Sequence, residues 1–387
     1  MSFFQIASLR RLWLNVHLWI ALGLAVLLIP ISISGALLVW HDDLDALLNP
    51  SRYAVSGAQP ALPLSTYLDN AAKAVADDPS DLRPMSLRFG EDGGPIRVMA
   101  RAHNVEQGKR PALITVYLDP PTGKVLDSVN FRASLFGFLH VFHENLTVPD
   151  YSGRQIVGWA GVGMLILSLT GIYLWWPSLG FLRGFRWKRS NRITFNLHHM
   201  IGIWIAVPLA VVSATGIYLA FPQTARETMS AVAGMNPQGP RGFGGQVMKT
   251  PALSAERALD AATTKEPSAR PVAIFLPTQQ RGEGGRGPAW RVQLESGGHA
   301  LNVMVDDRTG AAASLPAPQA GDRAASWIRW IHEGSHSGPV WAFLVFLTGV
   351  APTVFAVTGI MMWLRRPSGR RSPSRRRGGA ESLHAAE

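Results

Sequence analysis

Hydropathy along the 387-residue chain alternates between unbroken apolar runs and long mixed stretches. Four runs are long enough to cross a hydrocarbon layer of roughly 30 Å, which takes about 20 helical residues. They cover about 12–40, 154–176, 196–221 and 339–364. Stretches of about a hundred residues follow the first and third runs, whereas the second and third are joined only by the linker 177–195. Within the first mixed stretch, periodicity predicts a helix over 64–76 and strands near 86–89, 96–101 and 113–118. The second repeats this, with a helix over 254–263 and strands near 272–276, 290–294 and 301–305. The Gly-rich segment 281–287 lacks the strand-to-helix setting of a phosphate cradle and reads as a hairpin loop.

The expected architecture is therefore an α-helical membrane protein, a four-helix bundle carrying two α+β domains. The first transmembrane helix lies in 1–41 and a domain in 42–138. An interfacial segment and the second helix take 139–177, and a basic linker 178–195. The third helix takes 196–222, the second domain 223–326, an interfacial segment and the fourth helix 327–364, and a basic, disordered tail 365–387.

Composition sharpens this reading. The chain is 47% hydrophobic and 16% charged, and the absence of cysteine excludes disulfides, iron–sulfur clusters and thiolate metal sites. A net charge of +11 would suggest nucleic acid if it lay on a folded domain. Instead 14 Lys and Arg sit in the N-terminus, the linker and the tail, against only Glu381 and Glu387, and the remaining chain is near neutral. Basic short segments stay in the cytoplasm. Both termini are then cytoplasmic, both domains are exported, and no nucleic-acid partner is expected. A cleaved signal peptide would explain Arg10 and Arg11 before an apolar run, but this run is too long and carries His17 and Trp19. Of the 13 Trp, all but Trp290 lie in or beside the spans, as interfacial anchors do.

The two halves resemble each other. Asn15-Val16-His17 recurs as Asn196-Leu197-His198, each His followed eighteen residues later by Gly35 or Gly216. A strand entering an Asp-x-x-Thr-Gly turn ends at Gly123 and again at Gly310. Phe142-His143-Glu144 recurs as Ile331-His332-Glu333, and Thr170-Gly171-Ile172 as Thr358-Gly359-Ile360. Offsets of 181 to 189 residues imply a parallel duplication with a pseudo-two-fold axis along the membrane normal.

Eight of the eleven His gather at span ends: His17, His198 and His199 at the cytoplasmic side, and His41, His140, His143, His332 and His336 at the exported side. His103, His299 and His384 fall in loops or the tail, where a solvated side chain is expected. A single intramembrane His reads equally well as a hydrogen-bonded core residue, but pairs at equivalent places favour ligation. Imidazole-rich ligation without acidic support suits haem iron, with zinc held by two or three His and water as the rival. The repeat sets His17 opposite His198 and His143 opposite His332, two sites stacked across the bilayer. Gly35, Gly171, Gly216 and Gly359 leave room for a flat macrocycle or for close helix packing.

The motifs His17-Leu-Trp, Phe142-His143-Glu144-Asn-Leu146 with Gly153-Arg154, Thr170-Gly171-Ile-Tyr-Leu-Trp-Trp-Pro177, His198-His-Met-Ile-Gly202 and Trp330-Ile-His332-Glu-Gly334 resemble the PepSY-associated transmembrane family across nearly the whole chain. Length and layout are similar to its siderophore reductases of the FoxB type. The resemblance implies two haem b groups held by His17, His143, His198 and His332, a bacterial inner-membrane location, and two periplasmic PepSY-like domains. It also implies reduction of ferric siderophore iron and release of Fe(II). Leu18 and His199 stand where the family has His-Arg-Trp, so His199 is an alternative ligand in the third span. His140 and His336, near the implied ligands, are expected to contact substrate or haem propionates, or to be plain interfacial residues. A hydroxamate chelate such as ferrioxamine is the expected substrate. No nucleotide motif occurs, so electrons come from a cytoplasmic donor or membrane quinol, and a monomer suffices for an internally two-fold unit. Two rivals stand beside the reductase: a non-enzymatic membrane protein whose PepSY-like domains bind peptides, inhibit a protease or sense, and a siderophore permease.

Overall fold

The computed structural model describes residues 3–103, 111–149, 152–176, 190–236, 246–278, 287–297 and 299–365, excepting the side chains of 3–7 and His299. The linker 177–189, the tail from 366 with His384, and residues 281–286 of the Gly-rich segment lie outside them.

The chain begins with α1 (Phe3–Val39), α2 (His41–Leu48) and a 3₁₀ turn, Pro50–Tyr53. The first mixed stretch then forms α3 (Leu64–Ala74), β1 (Leu82–Arg88), β2 (Ile96–Ala102), β3 (Leu113–Leu118) and β4 (Val125–Asn130). A short helix α4 (Leu135–Asn145) leads into α5 (Gly153–Trp175), and α6 (Ile193–Ala220) follows the linker. The second stretch gives α7 (Pro222–Ala233), α8 (Ala255–Lys265), β5 (Arg270–Phe275), β6 (Ala289–Ser296), β7 (His299–Asp306) and β8 (Ala312–Ser314). The described chain ends with α9 (Ala320–Glu333) and α10 (Gly338–Leu364).

Four helices, over Ser8–Val39, Gly153–Trp175, Ile193–Ala220 and Gly338–Leu364, are long and apolar enough to cross a membrane. α1 packs on α5 and α10, and α6 packs on the same two, which closes a ring of four. Their inward side chains, among them Leu28, Ile31, Ala160, Met164, Ile205, Leu209 and Ala351, form an apolar core at mid-height. Outward lie Trp19 at 66%, Val26 at 82%, Trp159 at 67% and Trp204 at 66% exposed, a belt that water would penalise and lipid accommodates. α4 is seated on α1 and α5, and α9 on α6 and α10.

The sheet departs from the expectation of two separate small domains. All eight strands form one antiparallel sheet in the order β4-β3-β2-β1-β5-β6-β7-β8. β1 and β5 join the halves, with Leu87 opposite Ile274. These two positions correspond at an offset of 187 residues, and the bonds around them match. Leu276 N–H donates to the Met85 carbonyl at 2.9 Å and Phe89 N–H to the Val272 carbonyl at 3.0 Å. Each joining strand carries an irregularity, between Pro84 and Ser86 and between Pro271 and Ala273. An edge strand left bare on each half would be a liability, and pairing them removes both. The strands β4 and β8 escaped the sequence reading because neither alternates cleanly in hydropathy.

One face of the sheet carries α3 and α8. Ile96, Val98, Ala100, Val116, Leu118, Val292, Leu294, Val303 and Val305 alternate onto it and meet Tyr67, Ala71, Ala258 and Ala262 in one core. Trp290, the tryptophan away from the spans, is buried there and donates its Nε1–H to Asp307 at 2.8 Å. The Asp-x-x-Thr-Gly turns connect β3 to β4 and β7 to β8, and Gly123 (φ +66°) and Gly310 (φ +72°) supply the left-handed residue they require. The buried carboxylate that fastens the preceding segment is Asp119 in one half, bonded to Ser56 N at 2.6 Å, and Asp307 in the other, bonded to Ala252 N at 2.8 Å.

A further bond ties the halves on the helical side, where Ser65 N–H donates to Glu256 Oε1 at 2.7 Å. Burial alone would raise the Glu256 carboxyl, but hydrogen bonds from the Ser65 and Glu256 backbone, then from the Ser65 and Ser254 side chains, hold it down to about 2. Because the folded value lies below the ordinary value of about 4.3, this contribution is complete above that range and is lost as pH falls toward 2. Glu256→Gln is expected to lower unfolding stability by about 1 kcal/mol at neutral pH. The gap from wild type, read as denaturant midpoints, should close as the buffer is acidified.

Candidate functional site

The bundle places two imidazole pairs at two levels. At the end near the sheet, α4 and α9 bring His143 and His332 together, with ring centroids 6.2 Å apart and ring planes inclined by 39°. At the far end, His17 of α1 and His198 of α6 line one cavity of about 1040 Å³. His17 and Ile31, which bonds His143, are 14 residues apart on α1, so the levels lie about 21 Å apart. His198 and Val212, which bonds His332, are 14 residues apart on α6.

Each ring is held by its Nδ1. At the sheet end, His143 Nδ1 lies 2.8 Å from the Ile31 carbonyl, and His332 Nδ1 lies 3.0 Å from the Val212 carbonyl. Ser34 and Thr215 hydroxyls sit beside them at 3.4 and 3.3 Å. A carbonyl can only accept, so Nδ1 carries the proton in both. At the far end, His17 Nδ1 lies 2.8 Å from Thr170 Oγ1, and His198 Nδ1 lies 2.8 Å from Thr358 Oγ1. Each threonine hydroxyl donates to its own helix, at 2.7 Å to Ile166 O or Val354 O, and so accepts from the imidazole. All four rings therefore leave the Nε2 lone pair unprotonated, the tautomer a metal ligand needs. On α4 and α9, outside the four spans, burial pushes His143 below its ordinary value and His332 down to about 4, favouring neutral imidazole.

The sheet-end separation matches that of two imidazoles sharing one metal. Two metal–nitrogen bonds of about 2.0–2.1 Å plus two ring radii of roughly 1.1 Å come to about 6.3 Å between centroids. Among the described residues no group of three or more His, Asp or Glu could hold a metal ion, so each level offers two imidazoles and no carboxylate. A planar cofactor that takes two axial nitrogens, as haem does, fits this donor set. The far-end cavity is lined by Gly171, Gly202, Gly359, Phe355 and Trp175, with Arg10, Arg11 and Arg192 also on its wall. Its volume stands at the top of the roughly 300–1,000 Å³ range of small-molecule and cofactor sites.

His199 lies on the cavity wall, stacked on Phe195 at 5.9 Å and on Trp175 at 6.1 Å, while His198 holds the position equivalent to His17. His41 is exposed and bonds the Leu38 carbonyl at 2.9 Å. His140 is exposed, 3.9 Å from Glu144, and His336 is exposed and stacked on Trp330 at 4.8 Å. Neither belongs to a pair. His103 differs from the solvated loop residue expected of it: its Nε2 accepts Val247 N–H at 3.0 Å and helps to bind the halves together.

Sequence reading singled out Thr170 and Thr358 only as repeated motif residues and passed over Ser34, Thr215 and the Ile31 and Val212 carbonyls. Their signal was the shared 181-residue offset of Ile31/Val212, Ser34/Thr215 and Gly35/Gly216. Of the four glycines expected to leave room, Gly171 and Gly359 line the far-end cavity, whereas Gly35 and Gly216 lie against the sheet-end rings. A Cβ at Gly35 would lie 2.6 Å from His143 Cε1 and one at Gly216 2.8 Å from His332 Cε1, so both make room for the imidazole itself. At Gly171 the same atom would stand 3.6 Å from His17 Cε1, an ordinary contact. Gly35→Ala and Gly216→Ala should each destabilise the folded protein by about 1–3 kcal/mol, whereas Gly171→Ala should be nearly neutral. Thermal midpoints in detergent check this contrast.

Curated proteins give no match to this sequence. The four apolar helices and the paired imidazoles are consistent with a family of membrane proteins whose description is the PepSY-associated TM region. Its family model matches residues 14–366, and the chain belongs to that family.

Proposed function

We propose that the protein is a bacterial inner-membrane oxidoreductase that holds two b-type haems and carries electrons to ferric siderophore iron in the periplasm, releasing Fe(II). His17 and His198 would hold one haem, and His143 and His332 the other. The observation that carries this reading is the His143 and His332 pair, ring centroids 6.2 Å apart, each with its Nδ1 engaged. Haem held by two imidazoles would supply one-electron transfer rather than oxygen binding.

The chain's own residues supply the rest. Thr170 and Thr358 at one level, and the Ile31 and Val212 carbonyls at the other, orient the rings and raise their basicity. Arg11 and Arg192 on the far cavity wall would balance anionic cofactor groups such as propionates. Arg10 also lines it, while donating to the Leu174 and Trp176 carbonyls at the end of α5. The proposal includes a parallel internal duplication, supported by the matching hydrogen bonds at equivalent positions. It also includes cytoplasmic termini and a periplasmic sheet, supported by the basic short segments. A cytoplasmic donor or quinol supplies the electrons, and His140 and His336 lie near the periplasmic centre, where substrate or propionates would be met.

Detergent-purified protein should show reduced b-type bands and two haems per chain by pyridine haemochrome. His143→Ala or His332→Ala should remove one, and His17→Ala or His198→Ala the other, whereas His199→Ala should keep both. A colourless chain would leave the peptide-binding or sensing role as the better account.

A further inference from the structure

The sheet face opposite α3 and α8 carries, among the described residues, more positive than negative charge. Strand alternation turns Ile96, Val98, Ala100, Leu87, Ile274 and Val292 toward the helices. Arg88, Arg97, Arg101 and Arg291 alternate onto the other face. Register sets Arg88 directly opposite Arg97, and Arg83 opposite Arg101. Like charges directly opposite one another destabilise a sheet. Arg83 is matched by Asp81, but among the described residues no carboxylate lies within ion-pair distance of the other four. The acids near this face pair elsewhere, Asp45 and Asp127 both with Arg52 at 2.6 and 2.9 Å and Glu295 with Arg270 at 2.6 Å, so the Asp45–Arg52–Asp127 cluster offsets one of the four cations.

Aromatic rings are interleaved with these cations. Tyr117 stands opposite Arg97, and the Arg291 guanidinium lies 3.9 Å over the Phe275 ring. Burial lowers Arg291 from its ordinary value, a strain that a bound anion would relieve. The segment that leaves α1 is seated on this same face, with Arg52 5.0 Å over Tyr117.

We infer that this Arg-rich face binds a polyanionic, aromatic metal chelate of the catecholate class, with guanidinium groups pairing its oxygens and stacking on its rings. This names the substrate class of the proposed reductase and rests on that reading only for its physiological purpose. It differs from the hydroxamate implied by the resemblance, since a neutral or cationic chelate would gain less than an anionic one from this cluster of guanidinium groups.

The test uses gallium(III), which is not reduced under these conditions, so binding is measured apart from electron transfer. The full chain in detergent is titrated by calorimetry with trianionic tris(catecholato)gallium and with a neutral or cationic gallium hydroxamate. The catecholate should bind and the hydroxamate should bind at least tenfold more weakly. Raising salt about tenfold should weaken the catecholate by about tenfold. Arg88→Gln/Arg97→Gln should weaken it at least tenfold while leaving the thermal midpoint unchanged or higher, since a repulsive pair is removed. Arg97→Lys should recover part of the loss. No catecholate binding, salt-independent binding, equal hydroxamate binding, or unchanged affinity in a folded double variant would overturn the inference. A haem-free chain that still binds the catecholate keeps this inference and removes the reductase reading, and a haem-bearing chain indifferent to it does the reverse.

Discussion

The arrangement depends on one interaction made four times: an imidazole Nδ1–H donated to an oxygen of a neighbouring helix. In an apolar bundle an unpartnered N–H costs free energy. Satisfying it at Nδ1 leaves Nε2 as an unprotonated lone pair. At one level the acceptor is a threonine hydroxyl whose own proton is committed to its helix backbone, and at the other it is a backbone carbonyl. Both solutions give the same tautomer. The surrounding features serve these bonds: Gly35 and Gly216 admit the rings, and α4 and α9 re-enter the bundle to deliver them.

The sheet holds that delivery in place. α4 follows β4 and α9 follows β8, so the two edge strands of one sheet lead to the two helices carrying the paired histidines. Joining the halves through β1 and β5 fixes the distance between those edges. Asp45, Arg52 and Asp127 extend the coupling by tying the segment after α1 to β4, with Arg52 only 8% exposed and bonded to both carboxylates. Rigidity at the sheet thus becomes alignment in the membrane.

Much of this was legible in the sequence because membrane spans and repeats are read from long-range patterns. The four spans emerged within a few residues of their ends, apart from α1, which starts at Phe3. Six of the eight strands carried clear alternation. The pairing of β1 with β5 did not, since the sequence of an edge strand does not name its partner. The hydrogen-bond acceptors were equally silent, because a carbonyl such as that of Ile31 has no residue signature. His198 and His199 could not be separated by composition. Geometry divides them, since His198 meets Thr358 while His199 stacks on Phe195.

The central claim of the proposed account is that His17 with His198, and His143 with His332, would each hold one haem. Electron paramagnetic resonance of the oxidised, detergent-purified chain tests it most directly. The account predicts two low-spin ferric signals, each belonging to a bis-imidazole centre and each abolished with its own histidine pair. High-spin ferric iron, or no haem signal in a folded chain, would contradict it.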